Sequence, residues 1–252
     1  MGRRHRAHHR RRPRWGPRIG PTGGAEAWIT PHQATAGGPP LTAAGVAARP
    51  YGGRRTENSW GARSSDIVAA LWPERCTGIV SVSGYLIIDI ETNRRPLPPR
   101  AELGWWYQYY SSTERGRRGY TQNTNEFNKL IWQLASPKWD FDDATFDRTA
   151  ASFHNPDHVD IVIHNYRWRL GLAEGEQQYA ELETRLFEGP VIRVPAITIG
   201  SDFDGAAADG RAYAAKFAGD YSHRVLDGIG HNVPQEAPAA FADAVLEISR
   251  VS

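Results

Sequence analysis

Short, almost purely apolar runs set between helix-period segments constrain this chain more than any other feature. Ile79-Val80-Ser81-Val82 and Ile192 to Ile199 each read as a short strand of this kind, with Gly84 following the first, and Ser222 to Leu226 reads as a third, more polar one. Ala62 to Trp72, closed by Pro73, carries Ile67, Val68, Ala70 and Leu71 on one helical face. Ala237 to Ile248, after Pro234, repeats Phe241, Val245 and Leu246 near helical spacing. A strand buried on both faces has no polar side to alternate with, so this pattern predicts a mostly parallel sheet flanked by helices. With 252 residues, 40% of them hydrophobic and 23% charged, the chain has enough apolar material to bury such a sheet. From Arg94 to Gly189 the alternation stops. That stretch is dense in aromatics, reads as mainly helical, and is expected to form a lid over the sheet's C-terminal edge.

Residues 1–58 have a different character. They hold eleven arginines and no lysine against Glu26 and Glu57, a net of +9, while the remainder carries a net of −7. Turn formers interrupt them repeatedly (Gly37-Gly38-Pro39-Pro40, Gly52-Gly53), and no convincing strand is present. Such a segment buries too little apolar surface to offset its chain entropy, and the expectation is a disordered basic arm whose strands are missing. Eight arginines within residues 3–18 would attract phosphate, but no folded reader accompanies them, so nucleic acid is not the expected partner. Those arginines lack a following apolar region and do not make a secretory signal. No run of 18 apolar residues predicts a membrane span. Cys76, the single cysteine, excludes an intramolecular disulfide. The expected location is cytoplasmic, and the sequence leaves the oligomeric state open.

The strongest chemical signal is Gly228-Ile229-Gly230-His231-Asn232-Val233-Pro234-Gln235-Glu236-Ala237-Pro238. A histidine in a glycine-flanked loop between a strand and a helix can swing its imidazole over the sheet edge. Upstream, the strand ending at Ile199 leads into Gly200-Ser201-Asp202-Phe203-Asp204-Gly205. A carboxylate there can bond the far nitrogen of His231, fix its tautomer and stabilise the imidazolium. Asp204 is the better candidate, because Asp202 lies closer to the strand end.

From Ser59 to Ser252 the pattern resembles the α/β-hydrolase superfamily, in its epoxide hydrolase and haloalkane dehalogenase branch. Ser59-Trp60-Gly61-Ala62-Arg63 resembles that branch's nucleophile turn, Trp72-Pro73-Glu74-Arg75 and the following strand resemble what comes next, and Gly230-His231 with Glu236 and Pro238 resembles the histidine loop. Trp105-Trp106-Tyr107-Gln108 and Asn165-Tyr166-Arg167 resemble the two lid segments whose tyrosines, here Tyr107 and Tyr166, polarise an epoxide oxygen. The resemblance implies an α/β-hydrolase core in residues 59–93 and 190–252 with a helical cap in 94–189. It implies a hydrolase that uses a nucleophile–His–Asp triad on a small apolar epoxide or ester, with water as the second reactant.

At the nucleophile this chain departs from the branch, which uses a carboxylate there and forms an alkyl-enzyme ester. Serine is the nucleophile of esterases on the same fold, where Ser59 would attack and the Trp60 N–H would serve as one oxyanion donor. Glu57 stands where the tight turn wants a small residue, and residues 1–58 contain no His-Gly pair for a second oxyanion donor. Residues 1–58 are therefore expected not to be an authentic N-terminal half, but the product of a shifted frame, a wrong start site or a degraded gene. A relative that binds a small apolar ligand without turnover is the alternative reading. No metal or cofactor is expected: His5, His8 and His9 lie in the basic arm, and neither a spaced ligand set nor a phosphate-cradling G-x-x-x-x-G-K motif is present.

Overall fold

A computed structural model describes residues 41–44, 58–87, 93–203 and 210–250 of the chain. Among these residues, four parallel strands make one sheet in the order β1-β2-β3-β4: β1 (Leu41–Ala44), β2 (Cys76–Val82), β3 (Ala196–Ser201) and β4 (Tyr221–Leu226). In register, Ile79 faces Ala196 and Val82 faces Ile199, while Ala196 faces Tyr221 and Ser201 faces Leu226. Every residue of β3 is buried, as the apolar run requires.

Helices cover both faces. The helix α1 (Asn58–Leu71) packs with Val68 and Ala69 against Ile79, Ile192, Val194, Ala196 and Phe217. A terminal helix numbered α11 below (Pro238–Ile248) packs with Phe241, Ala244 and Ile248 against Val80, Val82, Ile197 and Ile199. Consecutive residues of one strand thus feed opposite layers, which is the pleat at work. Pro73 ends α1, because proline cannot continue its hydrogen-bond ladder, and Pro238 opens the terminal helix at a position where no N–H is needed.

Between β2 and β3 the chain forms α2 (Pro99–Gly104), α3 (Trp106–Ser112), α4 (Glu114–Gln122), α5 (Thr124–Ala135), α6 (Asp143–Ala150), α7 (His158–Arg169) and α8 (Ala180–Phe187). After β3 come the short α9 (Arg211–Ala214), then β4, the short α10 (Val233–Glu236) and α11. Side-chain caps set two of the boundaries. The Thr113 hydroxyl accepts from Gly116 N–H and the Asp142 carboxylate from Thr145 N–H. Gly116 is required at its place: a Cβ there would lie 1.6 Å from the Tyr110 carbonyl oxygen. The helical insertion has its own core, in which Trp132, Phe146, Ala150 and Phe153 pack with Trp139 and Phe141. Among the described residues no helix is long and apolar enough to cross a membrane.

The expected α/β architecture is present, with differences at its edges. The sequence reads residues 1–58 as strandless, yet Leu41–Ala44 pairs in parallel with β2. The edge of β2 supplies backbone partners that a weak strand former can accept, which local propensity does not report. The other residues before Asn58 lie outside the described ones, as do His5, His8 and His9. The strand expected over Ile192 to Ile199 starts only at Ala196, because Pro195 has no N–H to donate. Ile192 makes instead an isolated parallel bridge to Phe217. The helix expected from Ala62 begins four residues earlier and takes Ser59 into its first turn.

Candidate active site

The loop between β4 and α10 carries His231. Gly228 takes φ +79°, a left-handed conformation that glycine adopts without strain, and this turns the chain away from the strand. His231 is half-buried, and its N–H donates to the Ala135 carbonyl at 3.0 Å, at the C-terminal end of α5. Its ring lies 4.7 Å from that of Phe203, centroid to centroid.

Phe203 belongs to the turn after β3, so the two neighbouring strands deliver their C-terminal turns to one place. Asp202 N–H donates to the Ile229 carbonyl at 2.9 Å, and Asp202 Oδ1 accepts from Gly228 N–H at 3.0 Å. Asp202 Oδ2 accepts from Lys138 Nζ at 2.6 Å. The Lys138 ammonium and the Gly228 N–H hold this exposed carboxyl below the usual carboxylate range. With both oxygens of Asp202 engaged, it acts as a tie between the two turns. Asp204, the preferred candidate for the acid, lies outside the described residues.

The two insertion tyrosines meet. Tyr107 on α3 and the buried Tyr166 on α7 stand edge to face, centroids 5.7 Å apart. Arg167 Nη1, the next residue on α7, donates to the Ser112 carbonyl at 2.6 Å and locks α7 onto the end of α3. From Tyr107 a run of ring contacts leads down to the histidine: Trp105 lies 6.0 Å from Tyr107 and 6.0 Å from Phe203, and Phe203 touches His231. Residues separated by well over one hundred positions in sequence are thereby brought into one aromatic wall.

Ser59 and Trp60 occupy the first turn of α1, where helix geometry points N–H groups out of the N-terminus. Trp60 is half-buried; the Ser59 side chain and Glu57 lie outside the described residues. Among the described residues no three His, Cys, Asp or Glu side chains are grouped so as to hold a metal ion. Sequence reasoning missed Trp105 and Phe203 as the link between the helical insertion and His231. It saw Glu236 only as a part of the histidine motif, although this carboxylate accepts from Gly230 N–H and from Asn232 N–H, each at 2.8 Å.

No family model matches the chain, and no curated protein does. Among solved structures, it is similar to an assigned epoxide hydrolase from Klebsiella pneumoniae, at 54% identity and a TM-score of 0.73, over 76% of this chain and 64% of that one. An assigned epoxide hydrolase from Pseudomonas aeruginosa aligns at 15% identity and a TM-score of 0.59, over 76% and 64% of the two chains. An assigned acyltransferase from Salmonella enterica aligns at 12% identity and a TM-score of 0.59, over 75% and 60%. The last two share the fold, and their different descriptions mean that fold alone does not choose the reaction. The chain spans 64% of the length of the Klebsiella and Pseudomonas proteins.

Proposed function

Because the chain belongs to the epoxide hydrolase-like branch of the α/β-hydrolase superfamily, we propose that it hydrolyses a small apolar epoxide. His231 is the general base, oriented by Asp204, and Tyr107 and Tyr166 are the acids that receive the ring oxygen. One observation carries this reading: the edge-to-face tyrosine pair is joined through Trp105 and Phe203 to the His231 ring. Water attacks a ring carbon, the carbon–oxygen bond breaks, and the departing oxygen takes a tyrosine proton. The imidazole takes the proton from water, and its return to the phenolate restores both groups. An alkoxide leaves poorly without such help, so the hydrogen bonds from the tyrosines stabilise the charge that develops only in the transition state.

Ser59 bears on this choice. A carboxylate that opens an epoxide forms an ester, which water then cleaves; a serine would form an ether, which water does not cleave. With serine there, epoxide turnover runs by direct attack of water. The same serine favours a second reading, ester hydrolysis. Ser59 would attack the carbonyl, His231 would act as base and then acid, and the Trp60 N–H would face the oxyanion.

The test is diol formation from styrene oxide by the purified chain. Conversion is expected, reduced about a hundredfold or more in His231→Ala and about a hundredfold in Tyr107→Phe or Tyr166→Phe. Fluorophosphonate labelling of Ser59 with turnover of p-nitrophenyl butyrate, and no diol, would move the assignment to ester hydrolysis. No product from either substrate would overturn both readings and leave a binder of small apolar ligands.

A further inference from the structure

The proposed reaction depends on where the loop between β4 and α10 holds the imidazole, and that loop is organised around one carboxylate. Glu236 Oε2 accepts from Gly230 N–H and Oε1 from Asn232 N–H, so the amides on both sides of His231 point at the same side chain. A third donor arrives from the insertion: Ser136 Oγ donates to Glu236 Oε1 at 2.6 Å, while Asn232 Nδ2 donates to Ser136 Oγ at 2.9 Å. Ser136 is 1% exposed and Asn232 2%. The His231 N–H itself donates to Ala135, the preceding residue. The contact is close enough that a Cβ on Gly230 would lie 2.4 Å from Ser136 Cα.

Two residues further on, Lys138 binds Asp202, whose other oxygen holds Gly228. The turn from Ala135 to Lys138 thus grips the segments that follow both β3 and β4. The backbone around a catalytic histidine needs this kind of support, because misplacing a reacting group by about 1 Å can cost on the order of a hundredfold in rate.

We propose that Glu236 is a positioning residue for His231, acting through the Gly230 and Asn232 amides and coupled to the insertion through Ser136. The proposal rests on the reading of His231 as the general base. Glutamine at this position would keep the size of the side chain but has one acceptor oxygen for three donors. Its NH2 group would face either the Gly230 N–H or the donors from Asn232 and Ser136, leaving buried donors unpaired.

Two measurements on the full chain test this. In Glu236→Gln, amide hydrogen exchange at Gly230, His231 and Asn232 is expected to speed up about tenfold or more, with the amides of Ile79 and Val80 unchanged. With styrene oxide, kcat should fall about a hundredfold while KM stays within about twofold. Ser136→Ala, a smaller change that also serves if Glu236→Gln fails to fold, should show both effects more weakly, with exchange about threefold faster and kcat about tenfold lower. Unchanged exchange in both variants would overturn the proposal, and so would faster exchange with an unaltered kcat. If the unmutated chain formed no diol, the proposed reaction would fail and the exchange measurement would decide on Glu236 separately.

Discussion

Asp66 points its carboxyl from α1 into the core, where it is fully buried. Oδ2 accepts from Leu86 N–H at 2.7 Å, just beyond the turn in which Ser83 takes φ +70°, and Oδ1 has no hydrogen-bond partner among the described residues. Burial pushes this carboxyl up to about 7, against smaller opposing effects from the Leu86 amide, Ser81 and Arg63. The sign follows from proton binding. The folded chain holds a proton that the unfolded chain has released, so the contribution is present below about pH 4, is lost as pH rises towards 7, and is constant above. A single group shifted this far removes roughly 4 kcal/mol of stability over that window. Thermal melts at pH 5 and pH 7.5 should therefore show a drop in Tm that shrinks in Asp66→Asn, whose amide cannot ionise. A drop of equal size in both proteins would show that Asp66 does not titrate there.

At the scale of elements, α11 lies tightly against β2 where the two cross. A Cβ on Gly78 would lie 2.4 Å from Ile248 Cγ2 and 3.0 Å from the Pro195 carbonyl oxygen, so Gly78→Ala must push the helix outward. The expected cost is about 1–3 kcal/mol in urea unfolding, and it should be smaller in an Ile248→Ala background, where the obstructing methyl is gone. Equal costs in the two backgrounds would place the strain elsewhere. The same crossing explains what could be read in advance. Runs such as Ile79 to Val82 are apolar because both α1 and α11 need them, and a pattern imposed from two sides is visible in one dimension. β1 was not visible, since pairing with β2 and not its own residues makes Leu41–Ala44 a strand. Among the candidate site residues, His231 and Tyr107 stand out through their local motifs. The Ser136–Glu236 bond did not, because it joins positions one hundred residues apart through a hydroxyl with no motif around it.

Across the whole molecule, the described residues form three apolar clusters, two on the faces of the sheet and one inside the insertion. Structures built this way open in parts, each with its own free energy. One part of the seam is the turn Ala135–Lys138, which continues α5 directly and carries the bonds to His231, Glu236, Asn232 and Asp202. Trp132 lies one helical turn before it, 3% exposed, with ring contacts of 5.2–5.4 Å to Trp139, Phe141 and Phe146. Trp132→Ala should cost about 3–5 kcal/mol within the insertion. Because α5 ends in the seam, the loss should reach the His231 amide and speed its exchange, although His231 is in another layer. The Ile79 and Ile197 amides in the sheet should keep their protection, and Leu134→Ala, which removes a side chain 54% exposed on the same helix, should change neither. Faster exchange of the sheet amides by the same factor as His231 would mean that insertion and sheet unfold as one cooperative unit, and that Trp132 acts on His231 only through global stability.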